Sequence, residues 1–293
     1  MKILLTGSEG QLATSLSRSI PQNIQLIQLN KRDFNLLEEE KCKQIIQEIK
    51  PRWVINCAAY TNVDLAQKEY DIAYKINTIA PLFLTKYIEE IHGKLLHIST
   101  DYVFDGESSK PYQTLDETNP LNNYGTTKAE GEKNILQYKN NIILRTSWLY
   151  SSYGQNFITT MLKLHSAKGK VNENIKVVYD QISAPTSTNN LSKLCWRIIR
   201  EDLEISTENQ ILHWHDGGVT SWYDFAIAIG EIANKKKVLD HYSTVLPIKS
   251  SEYKVPATRP LYSLLDIEKT EKQFNIISNH WRYELEKTIE ELK

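Results

Sequence analysis

Short apolar runs alternate with stretches of helical periodicity over the first half of the chain, and this alternation restricts the fold more than any other feature. The runs fall at 2–6, 24–29, 53–57, 94–99 and 141–146. Strands separated by helices build a parallel sheet, because each helix must cross over to bring the next strand alongside the last. The pattern predicts an α/β fold with a Rossmann-type doubly wound parallel sheet over residues 1–150. Beyond Tyr150 the texture shifts to loops, short strands and further helices. A smaller α/β substrate-binding lobe is expected from 151–185 and 213–293, with about 186–212 returning to the first domain. Asp71 to Glu90 reads as a long helix broken in register by Pro81, and Tyr153 to Lys168 as another helix.

Ligands in such sheets settle beyond the carboxyl ends of the strands, so the residues after each run carry the most information. The first run ends in Gly7-Ser8-Glu9-Gly10-Gln11-Leu12-Ala13, a Gly turn that opens a helix. Its unpaired N–H groups and the helix N-terminus suit an anionic pyrophosphate. The spacing is G-x-x-G-x-x-A rather than the G-x-G-x-x-G of the common dinucleotide fingerprint. After the second run, where an acid would hold an adenosine ribose, stand Asn30, Lys31 and Arg32. A neutral Asn beside two cations suits a 2′-phosphate, which favours NADPH over NADH. A solvated charged turn accounts for the same residues equally simply. Asp33 and Phe34 follow, placed to contact an adenine. The third run leads to Ala58-Ala59-Tyr60, small residues that permit close approach of a cofactor, and Asn77 is expected to be buried and facing it.

The fourth run ends in Ser99-Thr100-Asp101. A polar loop follows, then Tyr124, with Lys128 four residues on within a helix expected from Gly125. Residues four apart share a helical face. An ammonium beside a phenol favours the phenolate, so the pair is expected to bring the phenol closer to neutrality as an acid–base group. Thr100 can hydrogen-bond the same reacting oxygen. The spacing recurs at Tyr283/Lys287, which reads as the surface of a final amphipathic helix. The fifth run ends in Ser147-Trp148-Leu149-Tyr150, and the rigid loop Val255–Pro260 carries one cation, Arg259.

Thirty-five Lys and Arg against 36 Asp and Glu, with no long basic run, argue against a nucleic-acid partner. The three cysteines, Cys42, Cys57 and Cys195, are scattered and odd in number, which implies no disulfide framework and fits a reducing, cytoplasmic setting. MKILLTG is too short for a signal peptide or a membrane span, so no membrane partner is expected. His213-Trp214-His215-Asp216 places two imidazoles on one face of a strand, but a polar turn explains it and no metal is expected.

Taken together, TGSEGQL, NCAAYTNVDLAQ, STDYVFDG, NNYGTTKAEGE, RTSWLY, DQISAPT, SWYDFA and PATRPLYSLLD resemble the extended short-chain dehydrogenase/reductase superfamily. Within it they look like the dTDP-4-dehydrorhamnose reductase family, over nearly the whole chain. That resemblance implies reduction of the C4 keto group of a nucleotide-linked sugar by a nicotinamide cofactor. Tyr124 would donate the proton, Lys128 would bind the nicotinamide ribose and tune Tyr124, and Thr100 would complete the catalytic group. Thr100, Asp101 and Trp148 match positions that contact the sugar nucleotide, and Arg259 is placed to hold its diphosphate. Gly10, Gln11, Leu12, Asn30, Asp33, Phe34, Ala58, Ala59 and Tyr60 match cofactor-lining positions, beside Gly7 of the turn. Ala13 stands where a Gly is frequent, and Asn30 where an Asp is frequent, which keeps NADH as an alternative. Some relatives bridge subunits with Mg²⁺ through a Glu on the first helix. The matching position is Ser15, which implies no such metal and leaves monomer and homodimer as alternatives.

Two other readings compete. Related dehydratases carry Asp-Glu after Ser-Thr, whereas this chain has Asp101-Tyr102 and lacks the second carboxylate. A regulatory subunit that binds nucleotide without turnover would keep the fold, but the intact Tyr124, Lys128 and Thr100 argue for chemistry. A reductase of another nucleotide-linked 4-keto sugar fits the same residues.

Overall fold

Six parallel strands form the central sheet of the computed structural model, which describes residues 1–202 and 210–293. They are β1 (Lys2–Thr6), β2 (Gln25–Leu29), β3 (Trp53–Asn56), β4 (Lys94–Thr100), β5 (Asn141–Thr146) and an edge strand, Ile211–Trp214. Their spatial order is edge strand, β5, β4, β3, β1, β2. The chain steps from β1 outward to β2, then crosses back to β3 and continues the other way. Neighbouring crossovers therefore part company between β1 and β3, which opens a crevice at their carboxyl ends.

Burial on both faces explains why these runs are continuously apolar. Successive side chains point to opposite faces. Ile3 and Leu5 pack with Leu16, Ile55, Leu96, Leu144, Leu194 and Ile198 on one side, while Leu4, Val54, Leu95 and Ile143 meet Ile46, Phe83, Leu84 and Ile88 on the other. Each fully buried Leu or Ile contributes on the order of 1.5–3 kcal/mol, so the sheet carries much of the stability. Helix Thr188–Glu201 lies along helix Gln11–Arg18. Their seam is polar at Ser15 Oγ–Thr188 Oγ1 (2.8 Å), and Trp196 Nε1 donates to Ser19 Oγ (3.1 Å). The expected return of 186–212 includes 203–209, which lie outside the described residues.

The long helix expected to break at Pro81 instead runs on through one wide turn. Tyr70–Tyr74 passes into a π-helical stretch, Lys75–Ile79, and then Ala80–Glu90. Proline has no N–H to give the preceding turn, so a carbonyl there is freed and the ladder re-registers. The Asn77 carbonyl turns toward helix Asn123–Ile135, where a Cβ at Gly131 would sit 2.1 Å from its oxygen. Gly131→Ala gains about 1 kcal/mol of helix propensity but must force two backbones apart, at about 1–3 kcal/mol or more. A net loss of stability is therefore expected, seen as a lower denaturation midpoint; an unchanged or higher midpoint would contradict this packing.

A second core gathers Ile158, Phe225, Ile229, Trp281 and Leu285 from helices Phe157–Gly169, Trp222–Lys235 and Trp281–Glu290. Strands Ile175–Val178 and Val245–Ile248 pair beside it in parallel. The first of these helices starts at Phe157 rather than Tyr153, because Asn156 and Thr159 form a reciprocal capping box. Two-residue strands add short ladders: Leu149–Tyr150 pairs with Thr186–Ser187, and Ile182–Ser183 with Thr220–Ser221. Among the described residues, no helix is long and apolar enough to cross a membrane.

Candidate active site

Helix Asn123–Ile135 begins where it does because Asn122 accepts from Gly125 N at 2.8 Å, satisfying an N-terminal donor. The Asn122 amide also donates to Thr258 O (2.8 Å), so the cap doubles as a tether. Gly125 lets the helix lie directly on the end of β4: a Cβ there would come within 2.1 Å of Tyr102 O. Tyr124 and Lys128 then face the strand. Lys128 is fully buried, its Nζ 2.7 Å from Ile98 O and 2.9 Å from His97 Nε2. Thr100, the last residue of β4, stands beside Tyr124 and donates its hydroxyl to Asp101 Oδ1 at 3.1 Å. Asp101 accepts from Ser263 at 2.5 Å.

The electrostatics differ from the expectation in one respect. Burial pushes the Tyr124 phenol up to about 12, the charges of Asp101 and Glu132 add to this, and the hydrogen bond with Thr100 opposes it. The expected lowering by Lys128 is absent because the ammonium makes its hydrogen bonds to Ile98 O and His97 instead of to the phenol. Burial also lowers Lys128 to about 8, against the pull of Glu132 and Cys57. Asp101 is raised to about 7 by burial, against its bonds from Ser263 and Thr100. Tyr124 is thus a neutral acid at physiological pH.

Tyr124 and Lys128 line a cleft of about 580 Å³ at the carboxyl ends of β1, β3 and β4, and Thr100 and Asp101 are buried behind its wall. Its walls include Gly7, Gly10, Gln11, Leu12, Phe34, Ala58, Ala59, Tyr60, Tyr124 and Lys128 from the residues expected at the site. Gly7 has φ +65°, and a Cβ there would meet Ala58 N at 2.8 Å, so the turn needs glycine on two counts. Helix Gln11–Arg18 has no side-chain cap, which leaves its first N–H groups for a ligand. Gln11 Oε1 also accepts from Ser151 (2.7 Å) and Asn156 (2.8 Å), joining the helix to the loop before Phe157. Asn77 reaches the site indirectly. It bridges Tyr60 N (2.9 Å) and Tyr60 O (3.1 Å) to Thr127 Oγ1 (3.1 Å), fixing the Ala58–Tyr60 turn against the catalytic helix rather than facing the cleft.

Other expected residues lie elsewhere. The Asn30 side chain closes its own turn by accepting from Arg32 N (2.8 Å) and Asp33 N (3.2 Å), and neither Asn30 nor Asp33 lines the cleft, whereas Lys31 does. Trp148 has φ +45° and stacks on Trp222 with ring centroids 3.6 Å apart, outside the cleft walls. Arg259 pairs with Asp64 (2.8 Å) and lines a neighbouring cleft of about 520 Å³ with Gln181, Ser250, Tyr253 and Lys254. Tyr283 and Lys287 sit together at the surface as a cation–π pair, 4.1 Å from ammonium to ring centroid. His213 and His215 are buried, the first beside Tyr112 O (3.1 Å) and the second between Asp216 O (2.7 Å) and Leu265 O (2.8 Å). Ser15 is buried among Tyr153, Thr188 and Asn189.

Sequence reasoning missed Ser99, Gly154 and Gln155 on the cleft wall, and the buried His97 behind Lys128. Ser99 Oγ is buried without a hydrogen-bond partner, an orphan that a ligand in the cleft could satisfy. His97 alone had a signal: an imidazole in the middle of an otherwise apolar strand.

The family model described as the RmlD substrate binding domain matches residues 1–293. A dTDP-4-dehydrorhamnose reductase of Aggregatibacter actinomycetemcomitans is 36% identical over 285 residues, covering 96% of each chain. Among solved structures, a dTDP-4-dehydrorhamnose reductase from Clostridium acetobutylicum superposes with a TM-score of 0.90 at 37% identity, over 100% of this chain and 99% of that one. One from Bacillus anthracis, in complex with NADP, superposes with a TM-score of 0.89 at 33% identity, over 99% of both. With the whole chain matched in sequence and in fold, this protein belongs to the dTDP-4-dehydrorhamnose reductase (RmlD) family.

Proposed function

We propose that the chain is an oxidoreductase that uses NADPH to reduce the C4 keto group of dTDP-4-dehydro-β-L-rhamnose to dTDP-L-rhamnose, the last step of dTDP-rhamnose synthesis. The observation that carries this reading is Tyr124, beside Thr100 on the edge of a dinucleotide-sized cleft with Lys128 buried one helical turn away. The cleft fits the cofactor: a glycine-only turn, an uncapped helix N-terminus and an orphaned Ser99 hydroxyl. Lys31 on its wall, and no acid at the end of β2, support the 2′-phosphorylated form. When bound, the reduced nicotinamide supplies the hydride.

The residues supply the rest. Reduction puts negative charge on the ketone oxygen, so the acid must hold its proton until that charge develops. A phenol near 12 does so, and it releases the proton to an alkoxide, a far stronger base. Thr100 steadies the same oxygen. Lys128, buried one helical turn away, holds its ammonium on the cleft wall for the ribose of the cofactor. Asp101 and Trp148 bind the sugar, and Arg259, oriented by Asp64, meets the diphosphate. Residues 1–150, with 186–202 and 210–212, hold the dinucleotide, while 151–185 and 213–293 hold the sugar nucleotide. Nucleotide sugars and reduced nicotinamides are cytoplasmic pools, so the cytoplasm is the proposed location.

The pH dependence follows from Lys128. Its ammonium is fully present below its pKa and is lost as pH rises through about 8, well before Tyr124 ionises near 12. kcat/KM is expected to fall about tenfold per pH unit above that point. A profile flat to pH 10 would contradict the role given to Lys128. The functional test is a panel of nucleotide-linked keto sugars with NADPH and NADH, followed by loss of reduced-cofactor absorbance. The proposal expects dTDP-4-dehydrorhamnose with NADPH to turn over fastest. Faster turnover of another 4-keto sugar would reassign the substrate, and bound cofactor with no oxidation of any would favour a regulatory protein.

A further inference from the structure

Behind Lys128, a file of buried polar groups runs across three strands with no charge of its own. Thr6 Oγ1 on β1 donates to Asn56 Oδ1 on β3 (2.6 Å), and Asn56 Nδ2 lies 3.0 Å from His97 Nδ1 on β4. His97 Nε2 lies 2.9 Å from Lys128 Nζ. Thr6, Asn56, His97 and Lys128 are each at most 1% exposed. The file ends at Thr6 inside the protein, so it cannot conduct protons to solvent, and its work must be local.

We propose that His97 is a positioning residue for Lys128: with Ile98 O it occupies two of the three ammonium N–H groups and thereby directs the third into the cofactor cleft. This rests on the reductase reading above. An ammonium has three donors and no acceptor. Two acceptors, Ile98 O and His97 Nε2, stand within 2.9 Å. The remaining N–H is left for a ribose hydroxyl or the Tyr124 oxygen. The imidazole can accept only if it stays neutral. Burial, and after it the Lys128 charge, hold its pKa well below the usual value, which favours the neutral ring. Among the described residues, Asn56 is the hydrogen-bond partner on its far side and is uncharged, while Lys128 itself also faces Glu132 and Cys57. The Asn56 carboxamide can bridge Thr6 and His97 in either sense. The proposed role has the amide turned over from the sense with Oδ1 on Thr6 and Nδ2 on His97: Nδ2 then donates to Thr6 Oγ1, the oxygen accepts from Nδ1–H, and Nε2 is left free to accept.

Removing the acceptor disfavours the charged amine, so the Lys128 pKa falls and the alkaline limb moves to lower pH. A purely structural histidine would not move that limb. The test compares His97→Gln, whose carboxamide oxygen can accept, with His97→Met, similar in size but a poor acceptor. Two limbs are read: that of kcat/KM, and that of NADPH affinity from fluorescence titration. His97→Met is expected to shift both limbs down by about one pH unit and to lower turnover near neutrality about tenfold, while His97→Gln stays near wild type. Identical limbs in wild type and His97→Met would overturn the proposal. Should the Met variant not fold, His97→Gln decides: a limb displaced by about a unit overturns the proposal, and an undisplaced limb supports it. If wild type binds NADPH but reduces no keto sugar, the functional reading fails, and the NADPH-binding limb still decides the role of His97.

Discussion

Tyr124→Phe is expected to lower turnover by about 10²–10⁴-fold while leaving NADPH affinity nearly unchanged. The substitution removes one oxygen and keeps the ring that lines the cleft, so the binding surface survives and the acid does not. The alternative donors are poor. The aliphatic hydroxyl of Thr100 is by nature a far weaker acid than a phenol, and Asp101, at about 7, is turned toward Thr100 and Ser263. Steady-state rates beside a fluorescence titration of NADPH separate chemistry from binding. Unchanged turnover would remove Tyr124 from the role of proton donor, and a parallel loss of cofactor affinity would make it a binding residue.

The largest effect on stability is expected at Glu132, one turn beyond Lys128 on the catalytic helix. Its carboxylate meets Arg145 of β5 at 2.6 Å, and the two side chains are 2% and 3% exposed. Arg145 also lies near Thr114 O and His213, over the ring of Phe104. Removing one member of such a pair strands the other charge out of water, which costs about 3–5 kcal/mol, whereas replacing both with apolar side chains is often neutral. Glu132→Ala should therefore lower unfolding stability by about that amount, and Glu132→Leu combined with Arg145→Met should recover most of it. Denaturant melts of the two variants check the claim. A loss under about 1 kcal/mol for Glu132→Ala would mean that the guanidinium finds other partners or water.

Much of this was legible before the coordinates, for identifiable reasons. The parallel sheet could be read because β1, β3, β4 and β5 are buried on both faces and so carry predominantly apolar runs. Gly7 and Ala58 could be placed at one crevice because a strand's end is marked by where its apolar run stops. Tyr124 and Lys128 could be paired because helical spacing fixes a shared face. The phenol's acidity could not be read, because it depends on where the ammonium's hydrogen bonds go and on how much protein surrounds the ring. Asn30 illustrates the same limit: its composition argued for the cofactor, yet its side chain serves its own turn. The left-handed backbone at Trp148 was equally hidden, since nothing in RTSWLY announces φ +45°. Two-residue strands such as Thr186–Ser187 are too short to leave a periodic trace.

Isotope transfer tests the central claim most directly. NADPH deuterated on the transferable position of the nicotinamide is incubated with the protein and dTDP-4-dehydrorhamnose, and the sugar product is examined by mass spectrometry and proton NMR. A hydride delivered to C4 while Tyr124 protonates the oxygen predicts one deuterium, carried on C4 of dTDP-rhamnose, at the rate at which NADPH disappears. Sugar recovered without deuterium, or with its C4 ketone intact while the cofactor is bound, would contradict the account.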